Sequence, residues 1–263
     1  MDPPPRRWAP DRAMAERLDV QSSSAAAVRI FRSPCRACLD CEVRKQAICA
    51  ALDDSEVGAL EAIMMATALE PNQTLVYEGD PRQRVFSLTT GMVRLSTLLP
   101  DGRRQITGFL MPGDYIGLAD DETYSQTAEA VAASNLCSFP VPQMDALMER
   151  YPRLKDRLHV MTREALKRAR DNQIVLGRLA PVEKVASFLL VMARRAAEIG
   201  RASEFVELPM TRTDIADYLG LTIETVSRSF TKLKNQNLIQ LPDPHRVAIV
   251  DRHLLEAVAG WSA

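Results

Sequence analysis

The stretch at 211–235, TRTDIADYLGLTIETVSRSFTKLKN, constrains the fold of this chain most strongly. In its first half, apolar residues recur at helical spacing up to Leu219, and Gly220 then interrupts the pattern. A second helical pattern begins after Thr222, which is a good candidate for an N-cap. Two short helices joined by a glycine turn predict a helix-turn-helix motif.

The second of these helices carries three polar side chains on its outer face: Glu224, Ser227 and Arg228. A carboxylate can accept a hydrogen bond from cytosine, and an arginine can bind guanine through two hydrogen bonds. Thr222 and Thr213, near the two helix starts, are further candidates for DNA contacts. The alternative is an ordinary helical hairpin with a solvated charged face. The glycine, the cap and the polar residues together favour a DNA-reading surface.

The length and net charge of the chain are compatible with DNA binding but do not by themselves indicate it. The chain has 263 residues, a formal net charge of -1 and a pI near 6.3. Sequence-specific binding needs only a local basic face, and the second helix offers Arg228, Lys232 and Lys234. No apolar run approaches the roughly 18 residues that a membrane span requires, and the N-terminus lacks a signal-peptide pattern. We therefore expect a soluble cytoplasmic protein without a membrane partner.

Catalytic chemistry is not indicated anywhere along the chain. The three histidines, at 159, 245 and 253, lie outside the strand-rich region, and no acid, base and nucleophile come together in the sequence. A zinc-stabilised enzyme or effector-binding protein with an incidental helical hairpin is the alternative from another functional class. We expect that the chain is not an enzyme.

Four of the five cysteines cluster near the N-terminus, at Cys35, Cys38, Cys41 and Cys49. They follow residues 1–27, a Pro-, Arg-, Ser- and Ala-rich stretch expected to form a disordered tail. Two-residue gaps allow neighbouring thiolates to bind one metal centre, and the nearby basic residues Arg36, Arg44 and Lys45 would favour thiolates. The spacing leaves an iron–sulfur cluster and a four-cysteine zinc site both open.

Between residues 68 and 142 the pattern changes to short apolar runs separated by turn signals. The strand-length runs are Thr74 to Tyr77, Val85 to Thr89, Met92 to Leu98 and Gln105 to Phe109. Regular short strands at intervals of about ten residues predict a jelly roll or a similar double-sheet barrel. Cys137 lies within or beside a late strand. Taken alone, it is typical of a buried core thiol.

A long helix is predicted from Pro152 to Leu176, with a narrow apolar stripe and charged flanks. We expect this stripe to form a dimer seam, in which the contacting residues are Leu158, Met161, Ala165, Ala169, Asn172 and Leu176. The alternative is a helix packed on its own barrel. A dimer also suits DNA reading, because two reading helices on a palindrome need a two-fold axis.

The remaining segments complete a winged helix. A helix is predicted at 181–198, a strand at Phe205–Leu208, and two strands around the turn at 242–245. His245 and Arg246 at this turn either lie near phosphates or serve only as turn residues. The α+β chain thus divides into a tail (1–27), a sensory domain of cysteine segment and β-barrel (28–150), a dimerisation helix (151–177) and a winged-helix DNA-binding domain (178–263).

This order of parts resembles the Crp/Fnr superfamily of bacterial transcription regulators, and most closely its oxygen-sensing FNR group. The likeness lies in LPDGRRQITGFLMPGDYIGL, in TRTDIADYLGLTIETVSRSF and in the cysteines, and it covers residues from about 35 to 255. It implies a barrel of the cyclic-nucleotide-binding type, a double-stranded β-helix, in a homodimeric regulator.

The resemblance further implies a [4Fe-4S] cluster, because FNR-like proteins bind one through three N-terminal cysteines and one barrel cysteine. The matching residues are Cys38, Cys41, Cys49 and Cys137, which leaves Cys35 spare. Glu224, Ser227 and Arg228 match the family residues that read palindromic DNA with TTGAT-type half-sites. RNA polymerase is the implied partner in activation, and genes of low-oxygen metabolism are the implied targets.

A cyclic nucleotide is not expected as a ligand. The positions where the family's nucleotide sensors carry a glutamate for the ribose and an arginine for the phosphate are Leu118 and Gln126 here. A buried phosphate without a cation would lose charge-assisted hydrogen bonds worth roughly 1.5–3 kcal/mol each. The alternative within the same fold is a regulator switched by cysteine oxidation, nitric oxide or zinc.

Overall fold

The structure is a computed structural model, and it describes residues 29–31, 38–117 and 120–260. The expectations for the tail at 1–27, for Cys35 and Arg36, and for Leu118 concern positions outside these ranges.

The first part of the chain forms a barrel preceded by a compact cysteine segment. Two 3₁₀ turns, Cys38–Asp40 and Ile48–Ala51, lead into helix α1 (Val57–Ile63). The strands are β1 (Arg29–Phe31), β2 (Met65–Leu69), β3 (Thr74–Val76), β4 (Arg84–Thr90), β5 (Val93–Leu98), β6 (Arg104–Leu110), β7 (Tyr115–Ile116), β8 (Thr127–Ala130) and β9 (Ser134–Pro140).

These strands form two sheets, which confirms the jelly-roll prediction. One sheet has the order β1-β2-β9-β4-β7, and the other has the order β3-β8-β5-β6. All four strands predicted from sequence are present, with ends shifted by a residue or two. Helix α1 has only the seven residues from Val57 to Ile63. Leu52 lies in the turn before α1, and Met65 already pairs with Ser138 in the sheet.

Three helices and a second β-structure follow the barrel. Helix α2 (Val141–Arg150) leads into the long helix α3 (Pro152–Arg178), and α4 is Pro181–Glu198. The last part contains β10 (Phe205–Glu207), α5 (Arg212–Leu219), α6 (Ile223–Asn235), β11 (Ile239–Asp243), β12 (Arg246–Ile249) and α7 (Arg252–Ala259). β12 is the central strand of a three-stranded sheet with β10 and β11, as the predicted wing requires.

The predicted cap at Thr222 and the predicted glycine turn are present, and the first helix has a cap of its own. Thr211 caps α5 by accepting the backbone N–H of Asp214 at 3.1 Å, and the Asp214 carboxylate accepts the backbone N–H of Thr211 at 3.0 Å. Gly220 ends α5 in the left-handed conformation, with φ 62° and ψ 44°. Thr222 then caps α6. The winged helix-turn-helix is therefore confirmed.

The apolar residues form three cores, and α3 contributes to two of them. Leu154 and Met161, in the N-terminal half of α3, pack with α1, α2 and the barrel. Val175, near the C-terminal end, packs with the buried faces of α4 to α7 and with part of the second barrel sheet. The third core fills the barrel interior. The long helix thus joins the sensory part to the DNA-binding part.

None of the helices in the described part of the chain has the length and apolarity needed to cross a membrane.

Gly91, in the turn between β4 and β5, allows a close approach of the backbone. It has a φ of 85°, and a Cβ there would overlap the Ala133 carbonyl and would lie 2.7 Å from the Ser134 Cα. Replacing Gly91 by alanine should lower the free energy of unfolding by more than the roughly 1–2 kcal/mol that left-handed backbone alone costs. Chemical denaturation measures this loss.

Gly102→Ala is the matched control for this prediction, because Gly102 has a φ of 84° and no atom within 4 Å of the added Cβ. Equal losses for the two variants would show that the contact with Ser134 is unimportant.

Candidate DNA-reading surface and cysteine segment

Helix α6 separates its buried and exposed residues cleanly. Val226, Phe230 and Leu233 are buried against the rest of the DNA-binding core. The Thr222 hydroxyl accepts the backbone N–H of Thr225 at 3.3 Å and fixes the start of the helix. The opposite face is left to solvent, so this helix can present side chains to a DNA groove.

The predicted reading residues Glu224, Ser227 and Arg228 are all exposed. They line one shallow surface depression together with Ile223, which is 42% exposed. Ile223 was missed from the sequence because an apolar residue is expected to be buried. Its position directly after the cap Thr222, out of phase with Val226, was the available signal.

Glu224 keeps its negative charge at neutral pH. Its pKa is lowered by a hydrogen bond from its own backbone N–H, by the Thr222 hydroxyl and by the charge of Arg228. The carboxylate therefore remains an acceptor only, as contact with a cytosine amino group requires.

The two other regions predicted to contact DNA are Thr213 at the start of α5 and the turn of the wing, and the wing residues form bonds typical of a turn. Thr213 is exposed in the first turn of α5. At the wing, the backbone N–H of His245 donates to Asp243 at 2.8 Å, and Arg246 Nε lies 2.5 Å from the same carboxylate. These bonds support the interpretation of His245 and Arg246 as turn residues.

Cys38, Cys49 and Cys137 come from three different elements, and Cys41 directly follows the first of them. Cys38 begins the first 3₁₀ turn, Cys49 lies in the second, and Cys137 lies in β9 between β2 and β4. Cys38, Cys49 and Cys137 all pack against the same hydrophobic core, the one that contains Leu154 and Met161 of α3. The fold therefore brings barrel and N-terminal cysteines to one side of the protein.

Cys49 is an unreactive thiol in this arrangement. Burial raises its pKa to about 11, and the nearby Cys41 acts in the same direction. Arg44 lowers the pKa as expected from the sequence, but its effect is smaller than that of burial. Arg44 instead pairs with Asp54 at 2.6 Å and bonds the Leu52 carbonyl at 3.1 Å.

The donor set suits a sulfur-ligated centre. All four residues are half-buried, and thiolates are the ligands of iron–sulfur clusters and of four-cysteine zinc sites. Within residues 29–31, 38–117 and 120–260, no three Cys, His, Asp or Glu side chains are already grouped as a metal site. The chemistry of the donors therefore fits such a centre.

The loop between Cys41 and Cys49 is bonded to α3. Arg157 of α3 donates to the carbonyl of Gln46, and its Nε lies 3.4 Å from the Ala47 carbonyl. Gln46 Nε2 also donates to the Glu198 carbonyl at the end of α4, at 3.4 Å. The cysteine segment therefore contacts both long helices through backbone carbonyls.

The expected dimer residues on α3 are divided between two environments. Met161 is buried on its own barrel, Leu158 packs partly there, and Ala165, Asn172 and Leu176 are half-buried. Ala169 is exposed. Leu166 and Ile174, at 50% and 40% exposure, are the large apolar residues that α3 leaves to solvent.

A cavity of about 550 Å³ lies between the barrel, α3 and α4. Lysine and arginine are absent from the described barrel residues that line it, and Gln126 there donates to Thr107 at 2.6 Å. Two of the arginines supplied by the helices, Arg168 and Arg195, already face Asp114. The cavity therefore offers no unshared cation from the barrel.

Two protein-family models match this chain. The model of the Crp-like helix-turn-helix domain matches residues 183–258, and the model of the cyclic nucleotide-binding domain matches residues 66–151. The nitrogen fixation regulation protein FixK of Bradyrhizobium diazoefficiens is 40% identical over 217 residues, which are 80% of this chain and 92% of FixK. The chain belongs to the Crp/Fnr family.

Other Crp/Fnr proteins agree. The transcriptional activator protein FnrL of Cereibacter sphaeroides is 36% identical over 85% of this chain and 92% of its own length. The solved structure of FixK2 from Bradyrhizobium japonicum matches with a TM-score of 0.71 and 32% identity, over 76% of this chain and all of that chain. Crp/Fnr proteins are dimeric, DNA-binding transcription regulators and not enzymes.

Arg228→Ala should weaken binding to the preferred operator by roughly 1–3 kcal/mol and relax base preference at one position, because a bidentate guanine contact is lost. Fluorescence anisotropy on an operator selected from random DNA measures the loss. Arg103→Ala, an exposed arginine on the barrel, is the control and should change nothing. Equal weakening of Arg228→Ala on random DNA would contradict a base contact.

Proposed function

We propose that this Crp/Fnr regulator is of the FNR type: a homodimer that reads palindromic DNA with TTGAT-type half-sites and is controlled by an oxygen-labile [4Fe-4S] cluster. The ligands would be Cys38, Cys41, Cys49 and Cys137. The regulated genes would serve low-oxygen metabolism. The observation that carries the proposal is the packing of N-terminal and barrel cysteines on one core that also contains the start of α3.

A [4Fe-4S] cluster, when bound, supplies a centre that oxygen degrades. The protein's part is to hold it with four sulfur ligands on a half-buried side of the barrel. The high pKa of the Cys49 thiol makes an unmetallated Cys49 a poor nucleophile, because the thiolate is the reactive form. This observation speaks against a switch by oxidation of Cys49 itself.

The contacts of the cysteine loop support a route from the cluster to the dimer. Arg157 binds carbonyl groups of the loop and lies on α3, so a change in the loop alters the bonds of that helix. The Gln46 side chain extends the contact to α4, the first helix of the DNA-binding part. Release of the segment would therefore loosen both helices.

The exposed residues of α3 support a dimer seam whose residues differ in part from those expected from the sequence. Leu166, Ala169 and Ile174 are exposed on α3, and large exposed apolar residues on a helix are typical of an interface. Ala165, Asn172 and Leu176 lie beside it. Met161 serves the protomer core instead, and Leu158 contributes to both.

The DNA-reading residues support the half-site assignment. Glu224, Ser227 and Arg228 match the FNR-type reading residues and share one exposed surface. Thr222 and Thr213 stand at the starts of their helices, where phosphate contacts are common. RNA polymerase is the proposed partner in activation, in line with the names of relatives such as the transcriptional activator FnrL.

A cyclic nucleotide is not part of the proposed mechanism. Gln126 stands where the family's nucleotide sensors place an arginine, and the lining of the cavity leaves Arg168 and Arg195 facing Asp114. Arg194, which also lines the cavity, lies 3.7 Å from Glu198, so a nucleotide phosphate there would find each of these arginines already facing a carboxylate.

Replacing Cys137 by serine should abolish cluster binding, because one of four ligands is removed from the rigid sheet. Anaerobically purified wild-type protein should contain about four irons per chain, as a [4Fe-4S] centre requires, whereas the variant should contain almost none. Iron analysis and visible absorption measure both.

Cys35→Ser is the matched control, since the proposal leaves Cys35 without a ligand role. Zinc instead of iron in the wild type, or full iron and air-sensitive DNA binding in Cys137→Ser, would contradict the proposed site. Full activity of an iron-free Cys137→Ser variant would favour the thiol switch.

A further inference from the structure

We infer that Arg94 and Arg104 of the barrel are positioning residues for DNA reading. Together with Asp214 and Asp217 of α5 they form a group that we name the barrel–reader clamp. The clamp ties the first helix of the helix-turn-helix to the sensory barrel. It thereby sets the separation of the two reading helices in the dimer.

Arg94, in β5, is the buried half of the clamp. It is 7% exposed, and its Nη1 lies 3.2 Å from both carboxylate oxygens of Asp214, a residue 2% exposed. On its other side it forms a two-point pair with Glu129 of β8, at 2.5 and 3.2 Å. A buried arginine held between two carboxylates is fixed in place.

Arg104, at the start of β6, is the half-buried part of the clamp. Its Nη2 lies 2.8 Å from Asp214, and its Nε lies 2.9 Å from Asp217 one turn further along α5. The neighbouring Gln105 donates to the Asp217 carbonyl at 2.7 Å. Three bonds along one helix face prevent α5 from turning about its own axis.

A second attachment holds another helix of the same module. Arg195 of α4 donates to the Phe109 carbonyl at 2.6 Å and pairs with Asp114. Together with the covalent junction between α3 and α4, the attachments at α4 and α5 define an orientation, since three separate points fix a rigid body. Phe109 also contacts Tyr218 of α5, with ring centroids 5.3 Å apart.

The covalent connection alone could not define this orientation. Only Leu179 and Ala180, both in extended conformation, separate α3 from α4. Short non-helical junctions of this kind are where domain hinges occur. Without the clamp, the DNA-binding module would pivot at these two residues.

Asp214 links the barrel arginines to the start of α5, which packs against the reading helix α6. Its carboxylate closes the capping box with Thr211 at the start of α5, while the same group receives Arg94 and Arg104. Ile215 and Ala216 of α5 share a buried core with Val226 of α6. Because α5 and α6 pack in one core, fixing the orientation of α5 also fixes the orientation of the reading helix α6.

In a dimer, the fixed orientation of each DNA-binding module limits the half-site spacings that the protein can bind. Half-sites of a palindrome lie one helical turn apart, about 34–36 Å, and both reading helices must match that spacing together. A rigidly held module tolerates few other spacings, whereas a hinged module tolerates more. The clamp therefore contributes selectivity for half-site spacing and not affinity for a half-site.

The test compares anaerobic full-length wild type with Arg104→Gln, Asp217→Asn and the double variant. Operators selected from random DNA are rebuilt with one or two base pairs added to or removed from the spacer, and a single half-site duplex is included. Arg103→Ala is the matched control, because Arg103 neighbours Arg104 but, among the described residues, forms its ion pair with Asp101, at 2.8 Å. Thermal unfolding shows which variants are folded.

The wild type and Arg103→Ala should lose roughly 100-fold in affinity when the spacer is wrong, as simultaneous engagement of both half-sites fails. Arg104→Gln should lose only about tenfold or less, with half-site affinity unchanged and the double variant no worse than the single ones. Unchanged spacing selectivity in folded Arg104→Gln would overturn the inference. So would equal losses on the full operator and the half-site.

Gln105→Ala provides a second route if Arg104→Gln is unstable, since it removes two barrel–α5 bonds, to the Asp217 and Tyr218 carbonyls, without leaving a buried charge. It should also reduce spacing selectivity, by a smaller factor. Selectivity identical to wild type in this folded variant would count against the clamp.

Discussion

Helix α3 must contact the cysteine segment at one end and the DNA-binding core at the other. Its 27 residues span about 40 Å, at 1.5 Å per residue. Near its start, Leu154 and Arg157 contact the core and the loop beside the cysteines. Near its end, Val175 enters the core of the reader. Helix α3 therefore contacts both the cysteine segment and the core of the reader.

Apolar and charged contacts have different roles in this molecule. Apolar burial joins the second barrel sheet to the reader in one continuous core, a non-directional attraction that fixes proximity. The buried pair of Arg94 with Asp214 and the half-buried pair of Arg195 with Asp114 fix direction instead. Such pairs contribute little net stability, because desolvation offsets their attraction, but they penalise alternative orientations strongly. Selectivity for half-site spacing requires a fixed orientation of the reader, which the charged pairs provide and the apolar contacts alone would not.

Local signals in the sequence were sufficient for the reader but not for its attachment. The capping threonines and Gly220 act within a few residues, so both helices of the motif were predictable. Strands β8 and β9 carry few β-branched residues, TAEA and SNLCSFP, and were recognised less well. The bond between Arg94 and Asp214 joins positions 120 residues apart, and no local pattern reports it. The common core beside Cys38, Cys49 and Cys137 likewise depends on tertiary folding, and only the family resemblance pointed to it.

The central claim is that the state of the cysteine segment controls the dimer through α3. Sedimentation velocity of anaerobic protein, before and after a measured dose of air and with iron content followed in the same sample, tests it most directly. We predict that the dimer fraction falls in step with the loss of iron, and that Arg157→Gln weakens this link while the protein still binds iron. A dimer fraction that stays constant as the iron is lost would contradict the claim.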